Sequence, residues 1–343
     1  MSAPDSNLPG RTTRTLQLAL FVTSLTWYIS SKIIAGRSAN GITQRLDLEP
    51  CRLLLAGLFL LFLLSVGFSL LNTIARQHDS LRSVLGLPKR PTARTEWLRG
   101  VAIGWGMAIL AVLPLALSRS LFVTLWTAPR ALWLLVINLA AVAVGTLTEE
   151  VAFRGYPFRR LIEAIGPVGA TLTMSLLFGF AHAFNTDSTW TSILLTTLAG
   201  ILLSIAWLRT HGLWLPWGIH FAWNASLGLI FGLPVRGDIG SASVVLSTAH
   251  GPLWLTGGDY GPEAAVFTGF VLIAGIIVLV RTTRDYAWNY THAPIVPGGY
   301  PMDIAPPPAH AAMEQQAEAR PPALIQILPT TPQSRSIDEE PKP

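Results

Sequence analysis

Along this chain, runs of apolar residues recur at a length that suits a lipid bilayer better than a soluble core. A bilayer interior needs about 20 mostly apolar residues per helix, so uncharged stretches of roughly 17 or more mark candidate spans. Eight windows qualify: Thr15–Ser31, Leu53–Ala75, Gly100–Ser118, Ala131–Thr148, Gly166–Phe184, Thr191–Leu208, Leu213–Pro234 and Ala264–Val280. The pattern predicts an all-α, polytopic integral membrane protein with about eight transmembrane helices and a central intramembrane site. The first window is the weakest, since it carries several hydroxyls and runs into Lys32. Arg11 and Arg14 precede it as in a signal peptide, but no small-residue cleavage motif follows, so an uncleaved first span is expected.

Composition supports this reading. Asp, Glu, Lys and Arg make up 13% of the 343 residues and AVILMFWYC 51%, against roughly 25% charged residues in an ordinary soluble domain. The single cysteine, Cys51, excludes an internal disulfide framework and any multi-thiolate metal site built from this chain alone. A net charge of +5 raises nucleic acid as a partner, but the basic residues are dispersed between apolar runs and form no basic, aromatic-interleaved face. They act instead as topology signals. With the N-terminus inside, Arg76, Arg82, Lys89, Arg90, Arg154, Arg159, Arg160, Arg209 and Arg281 lie toward the cytoplasm, whereas Lys32, Arg37, Arg45, Arg52, Arg119, Arg130 and Arg236 fall outside. The expected placement is a multi-pass inner membrane protein with both termini cytoplasmic.

Three regions are expected: N-terminal helices and loops at 1–130, a core at 131–284, and a disordered tail at 285–343. Nearly half of the 25 prolines lie from Pro294 onward, and such a segment buries too little apolar area to offset its ordering entropy. No internal repeat is visible, which weakens a reading as an inverted-repeat transporter. The polar segment from Pro234 to Pro262 reads equally as a re-entrant lid or a plain external loop.

Polar residues inside or against the apolar runs carry the chemistry: Glu149, Glu150, Arg154, His182, His220 and Asn224. Ionisable groups there are costly and tend to be functional. A lone buried histidine is more often a packing residue than a catalyst, and Glu150 with Arg154, four apart, reads first as a structural ion pair. Spacing changes the odds for the set. If the Glu149 helix continues to Ile165 and turns at Gly166-Pro167, Glu149 lies 16 residues before Ile165 and His182 lies 16 after Gly166. At about 1.5 Å per residue both stand roughly 24 Å from the turn, at one depth of an antiparallel hairpin. Pro157 is expected to kink the helix just after the acidic pair. His220 and Asn224, four apart, share one helical face. Together these groups supply a base, an imidazole and neutral hydrogen-bond donors, the parts needed to activate water and stabilise an oxyanion.

The ordered trio EEVAFR (Glu149–Arg154), FGFAH (Phe178–His182) and HFAWN (His220–Asn224) resembles the CPBP family of intramembrane proteases, which includes type II CAAX prenyl endopeptidases and bacteriocin-immunity proteins. The likeness covers Glu149–Leu233 and extends to TGGDYGPE at Thr256–Glu263. It implies Glu149 as general base on a water, His182 as its partner, and His220 with Asn224 as the oxyanion-stabilising pair, with Glu150 and Arg154 in support. It further implies a peptide or lipidated-peptide substrate met among membrane lipids. We expect a metal-independent glutamate mechanism without cofactor; the alternative is zinc held by Glu149, His182 and His220, although no His-Glu-x-x-His sequence is present. Competing expectations are a catalytically silent immunity or adaptor protein of the same fold, a proton-coupled transporter and, last, a nucleic-acid binder.

Overall fold

The computed structural model describes residues 14–77, 79–240 and 244–283, so the proline-rich segment expected to be disordered lies outside the described residues. Helix α1 (Arg14–Leu46) leads through a 3-10 turn at Glu49–Cys51 into α2 (Arg52–Ile74), the short α3 (Leu81–Val84) and α4 (Ala93–Leu117). Strand β1 (Leu121–Leu125) precedes α5 (Pro129–Arg154), α6 (Tyr156–Ala181), α7 (Trp190–Thr210) and α8 (Trp214–Ala225). A π turn at Ser226–Ile230, strand β2 (Val245–Ala249), the short α9 (Leu253–Thr256) and α10 (Val266–Thr282) follow. The strands pair antiparallel, with Leu121 opposite Ala249 and Leu125 opposite Val245.

The protein is a polytopic membrane protein whose described residues are mostly helical, with one two-stranded sheet. Among the described residues, five segments are long and apolar enough to cross a membrane: Arg14–Leu46, Glu49–Ile74, Ala93–Leu117, Pro129–Ala181 and Trp190–Thr210. This is fewer than the eight windows for two reasons. Pro129–Ala181 contains both α5 and α6, while α8 has 12 residues and α10 has 17. Leu215, Ile219, Ala222 and Trp223 of α8 are all buried, so its apolar character serves the protein interior.

The helix carrying Glu149 does not run on to Ile165. It ends at Arg154, because Gly155 leaves the helical region (φ −82°, ψ −128°), and Pro157 sits in the first turn of α6, where its missing N–H breaks no helical bond. The second break is where the sequence places it. Gly166 adopts φ 81°, ψ 167°, a backbone that side chains resist, and Pro167 restarts the helix.

Packing then fixes the heights of the helices. Trp27 of α1 donates its indole N–H to Leu63 O of α2 at 2.9 Å. Gly100 of α4 lies against the backbone of Leu215 and Ile219, and Gly104 against Ile219 and Ala222. Contacts that advance together along both helices mean that α4 and α8 run parallel, with backbones brought close by missing side chains. Two apolar clusters result. One joins Phe68, Phe153, Phe158 and Phe178 across α2, α5 and α6; the other joins Met107, Leu202, Ile219, Trp223 and Leu272 across α4, α7, α8 and α10. Outward-facing side chains such as Phe62, Ile74, Trp133, Leu176 and Phe270 are large, apolar and exposed, as a lipid-facing surface requires.

A Cβ at Gly218 meets the backbone of Trp97, whereas one at Gly106 meets open space. Gly218→Leu is therefore expected to cost about 2 kcal/mol or more through overpacking, and Gly106→Ala to be neutral or mildly stabilising. Thermal unfolding of the detergent-solubilised protein checks both.

Candidate active site

Two helix ends and one turn build the site. The last two turns of α5 carry Glu149, Glu150 and Arg154, and α8 presents His220 and Asn224 beside them. Trp217 of α8 ties the two helices together by donating to Ala143 O at 3.0 Å.

Glu150 and Arg154 are both fully buried and lie 3.3 Å apart, Arg154 Nη1 to Glu150 Oε1. The same Oε1 takes the Nδ1 hydrogen of His220 at 2.7 Å. Arg154 also donates to Gly200 O of α7 at 3.3 Å, and its guanidinium lies 4.3 Å from the centre of the Phe178 ring. Glu150 is thus more than half of an ion pair: it fixes which nitrogen of His220 faces the cavity.

Glu149 points to the other side of α5 and remains 21% exposed. His220 Nε2 lies 3.6 Å from its Oε2, and Arg236 Nη1 lies 2.5 Å from its Oε1. Arg236 Nη2 stands 3.3 Å from His220 Nε2, so one guanidinium bridges carboxylate and imidazole. His182, capping α6, bonds Nδ1 to Phe178 O at 2.7 Å; the carbonyl accepts, so Nδ1 carries the hydrogen and Nε2 is a free acceptor. Its ring packs 4.5 Å from Phe178. The buried Asn224 has no partner for Oδ1 among the described residues.

Two cavities meet here. A chamber of about 670 Å³ is lined by Tyr28, Lys32, Asn138, Glu149 and Asp238, and a small apolar recess of about 60 Å³ by Leu195, Leu203, His182 and His220. Asn224 and Arg236 line both. The arrangement offers a carboxylate, two imidazoles and a carboxamide where a large chamber and a small recess share a wall.

Residues 129–226 match the family model of the Rce1-like type II CAAX prenyl endopeptidases. This Rce1-like stretch holds Glu149, His182, His220 and Asn224. In a separate comparison the chain is 30% identical over 112 residues to a Bacillus subtilis (strain 168) protein described as "Putative membrane peptidase YdiL". That alignment covers 33% of this chain and 44% of the relative, so the chain spans less than half the length of the curated protein it matches. No solved structure matches the chain significantly.

Sequence spacing brings the four polar positions of the Rce1-like stretch into one region, but the pairing differs. The imidazole nearest the Glu149 carboxylate is His220, and no hydrogen bond joins Glu149 to His182 among the described residues. Arg236 escaped sequence reasoning altogether, having counted there only as an outer-loop charge. It sits in the tight turn Val235–Asp238, where Val235 N bonds to Asp238 O at 2.9 Å and Asp238 N to Val235 O at 3.0 Å. Part of the segment read as a lid or a loop therefore enters the site. Burial works against the Arg236 charge, but Glu149 and Glu263 outweigh it and hold the guanidinium above the ordinary arginine range. Glu263 also grips the backbone, accepting from Arg236 N at 2.7 Å and from Trp223 Nε1 at 2.9 Å.

The zinc alternative does not fit this arrangement. Among the described residues no three His, Cys, Asp or Glu side chains are grouped to hold a metal. A divalent cation between Glu149 and His220 would stand against the Arg236 guanidinium.

The two neighbouring carboxylates are expected to respond differently to mutation. Glu150→Ala strands the buried Arg154 and His220, so a loss of about 3 kcal/mol or more is expected. Glu149→Gln, isosteric and partly exposed, is expected to cost clearly less. Unfolding temperatures of the two variants in one detergent check this ordering.

Proposed function

We propose that the protein is an intramembrane endopeptidase that hydrolyses peptide bonds of membrane-associated, lipidated or unlipidated peptides. The observation that carries this reading is the division between the paired carboxylates: Glu150 is sealed into structure, while Glu149 faces a chamber large enough for a peptide. The match to Rce1-like prenyl endopeptidases and the likeness to a protein described as a membrane peptidase support it.

In this reading Glu149 is the general base on a water in the chamber. His182, with Nε2 free as an acceptor, helps orient that water. His220, held through Nδ1 by Glu150, and Asn224 both line the recess beside the position of the developing oxyanion, to which the Asn224 amide nitrogen and the imidazolium form of His220 would donate. Glu150 and Arg154 are positioning residues. No step runs through a metal or other cofactor. From the bias of Lys and Arg between loops, we place both ends of the bundle's chain on the cytoplasmic side of the inner membrane.

A catalytically silent immunity or adaptor protein of the same fold is the second reading. The Arg236–Glu149 contact favours it, because a carboxylate held by a guanidinium is a poor proton acceptor.

Purified protein incubated with fluorogenic apolar peptides, lipidated and unlipidated, decides between the two. Turnover is expected, unchanged by chelator and lowered by Glu149→Gln by about a hundredfold or more, the scale of a lost general base. Near-normal turnover by Glu149→Gln would remove Glu149 from the mechanism. Chelator-sensitive turnover restored by stoichiometric zinc would replace the glutamate mechanism with a metal one, and inert wild-type protein would favour the silent reading.

A further inference from the structure

Arg236 poses a problem that the hydrolytic reading leaves open. It lies beyond the Rce1-like match at 129–226, so the elements that bring it to Glu149 belong to another part of the chain. It is also held there at a conformational cost. Arg236 has φ 57° and Gly237 φ 78°, the two left-handed positions of a tight hairpin turn. Asparagine and glycine suit such positions and arginine does not. The surroundings overdetermine this backbone: Glu263 accepts from Arg236 N, and Gly237 N donates to Tyr260 O at 3.0 Å. Strain maintained in this way, with the side chain delivered into a reactive cluster, points to a task for that side chain.

The task follows from charge balance. Arg236 lines both the chamber and the apolar recess, so a peptide occupying the two lies beside its guanidinium. A substrate carboxylate brought into these surroundings needs a cation, and Arg236 can meet it with two parallel hydrogen bonds. Leaving Glu149 for that carboxylate exchanges one anion partner for another with no net change in its own pairing. A carboxylate that loses its cation in apolar surroundings is driven to take up a proton, which is what a base acting on water must do.

We propose that Arg236 is the substrate-recognition residue of this site: it locks Glu149 in the free protein and moves to a carboxylate of the bound peptide, releasing the base. The inference rests on the hydrolytic reading and selects anionic peptides as the substrate class. The carboxylate comes either from the peptide's C-terminus or from an acidic side chain beside the scissile bond. The apolar recess, with room for one aliphatic side chain, takes the neighbouring residue.

Three fluorogenic peptides of one apolar sequence test this on the full-length protein: a free C-terminal acid, a C-terminal amide, and an amide carrying one glutamate. Arg236→Asn removes the cation while suiting the turn, and Arg236→Lys keeps the charge but loses the fork. Wild-type protein is expected to favour an anionic peptide over the neutral amide by about ten- to a hundredfold in kcat/KM, the scale of one charge-assisted contact. Which anionic peptide is preferred identifies the source of the carboxylate. In Arg236→Asn the neutral amide is expected to be cleaved faster than by wild type and the anionic peptide more slowly, with Arg236→Lys between. An undiminished preference in Arg236→Asn, or an equal fall for all three peptides, would overturn the proposal. Anisotropy titrations with the same peptides separate it from the hydrolytic reading. If nothing is cleaved, that reading fails, while tighter binding of an anionic peptide that Arg236→Asn abolishes still upholds recognition by Arg236; equal binding of all three refutes it.

Discussion

The carboxylate of Glu150 has no access to water, and most of the site follows from how that charge is satisfied. An unpaired carboxylate in apolar surroundings is costly enough that partners must come from several directions. Arg154 comes from the next turn of the same helix, and His220 comes from α8. Arg154 in turn reaches Gly200 O on α7 and stacks on Phe178 of α6. One buried charge thereby ties four helices at a single depth. The two breaks belong to the same arrangement: Gly155 ends α5 immediately after Arg154, and Gly166 lets the second half of α6 bring Phe178 back to the guanidinium.

Such a network is weak as a source of net stability and strong as a means of fixing geometry. Apolar packing does more of the stabilising. The parallel approach of α4 and α8 through Gly100, Gly104 and Gly218 sets the height of α8, and therefore of His220 and Asn224, before any polar contact is counted. Leu215, Ile219 and Trp223 then seat α8 in the second apolar cluster. A short helix held in this way has little freedom to slide, which keeps His220 at a fixed height beside α5.

Much of this was legible in the sequence. Charge-free windows locate the helices, and the ionisable residues within them mark the site, because both signals are local and energetically expensive to imitate. Gly166-Pro167 was readable as a break for the same reason. What local signals cannot convey is which groups touch. Spacing alone put His182 opposite Glu149, but the helix ends eleven residues before Ile165, and it is His220 that stands beside that carboxylate. The Leu213–Pro234 window differs in another way: its helix α8 is short and largely buried, and a buried helix and a lipid-exposed helix have the same apolar composition, so that only length separates them. Arg236 was invisible because its turn carries no hydrophobic period, and its contact with Glu149 bridges 87 positions of sequence.

The adjacent carboxylates show how one helix divides structure from chemistry. Successive residues on a helix point about 100° apart, so Glu149 and Glu150 reach the two different nitrogens of His220 and differ in burial. Glu150 faces the helix junction, where neither solvent nor substrate reaches, and its charge is spent on orienting His220. Glu149 faces the chamber, where its cation comes from a side chain on a turn whose backbone is held by Glu263 and Tyr260. A partner on the same helix, such as Arg154, cannot leave without unwinding it. A partner on a turn can leave by rotating its side chain, and that difference in attachment makes Glu149, of the two, the carboxylate able to change partners.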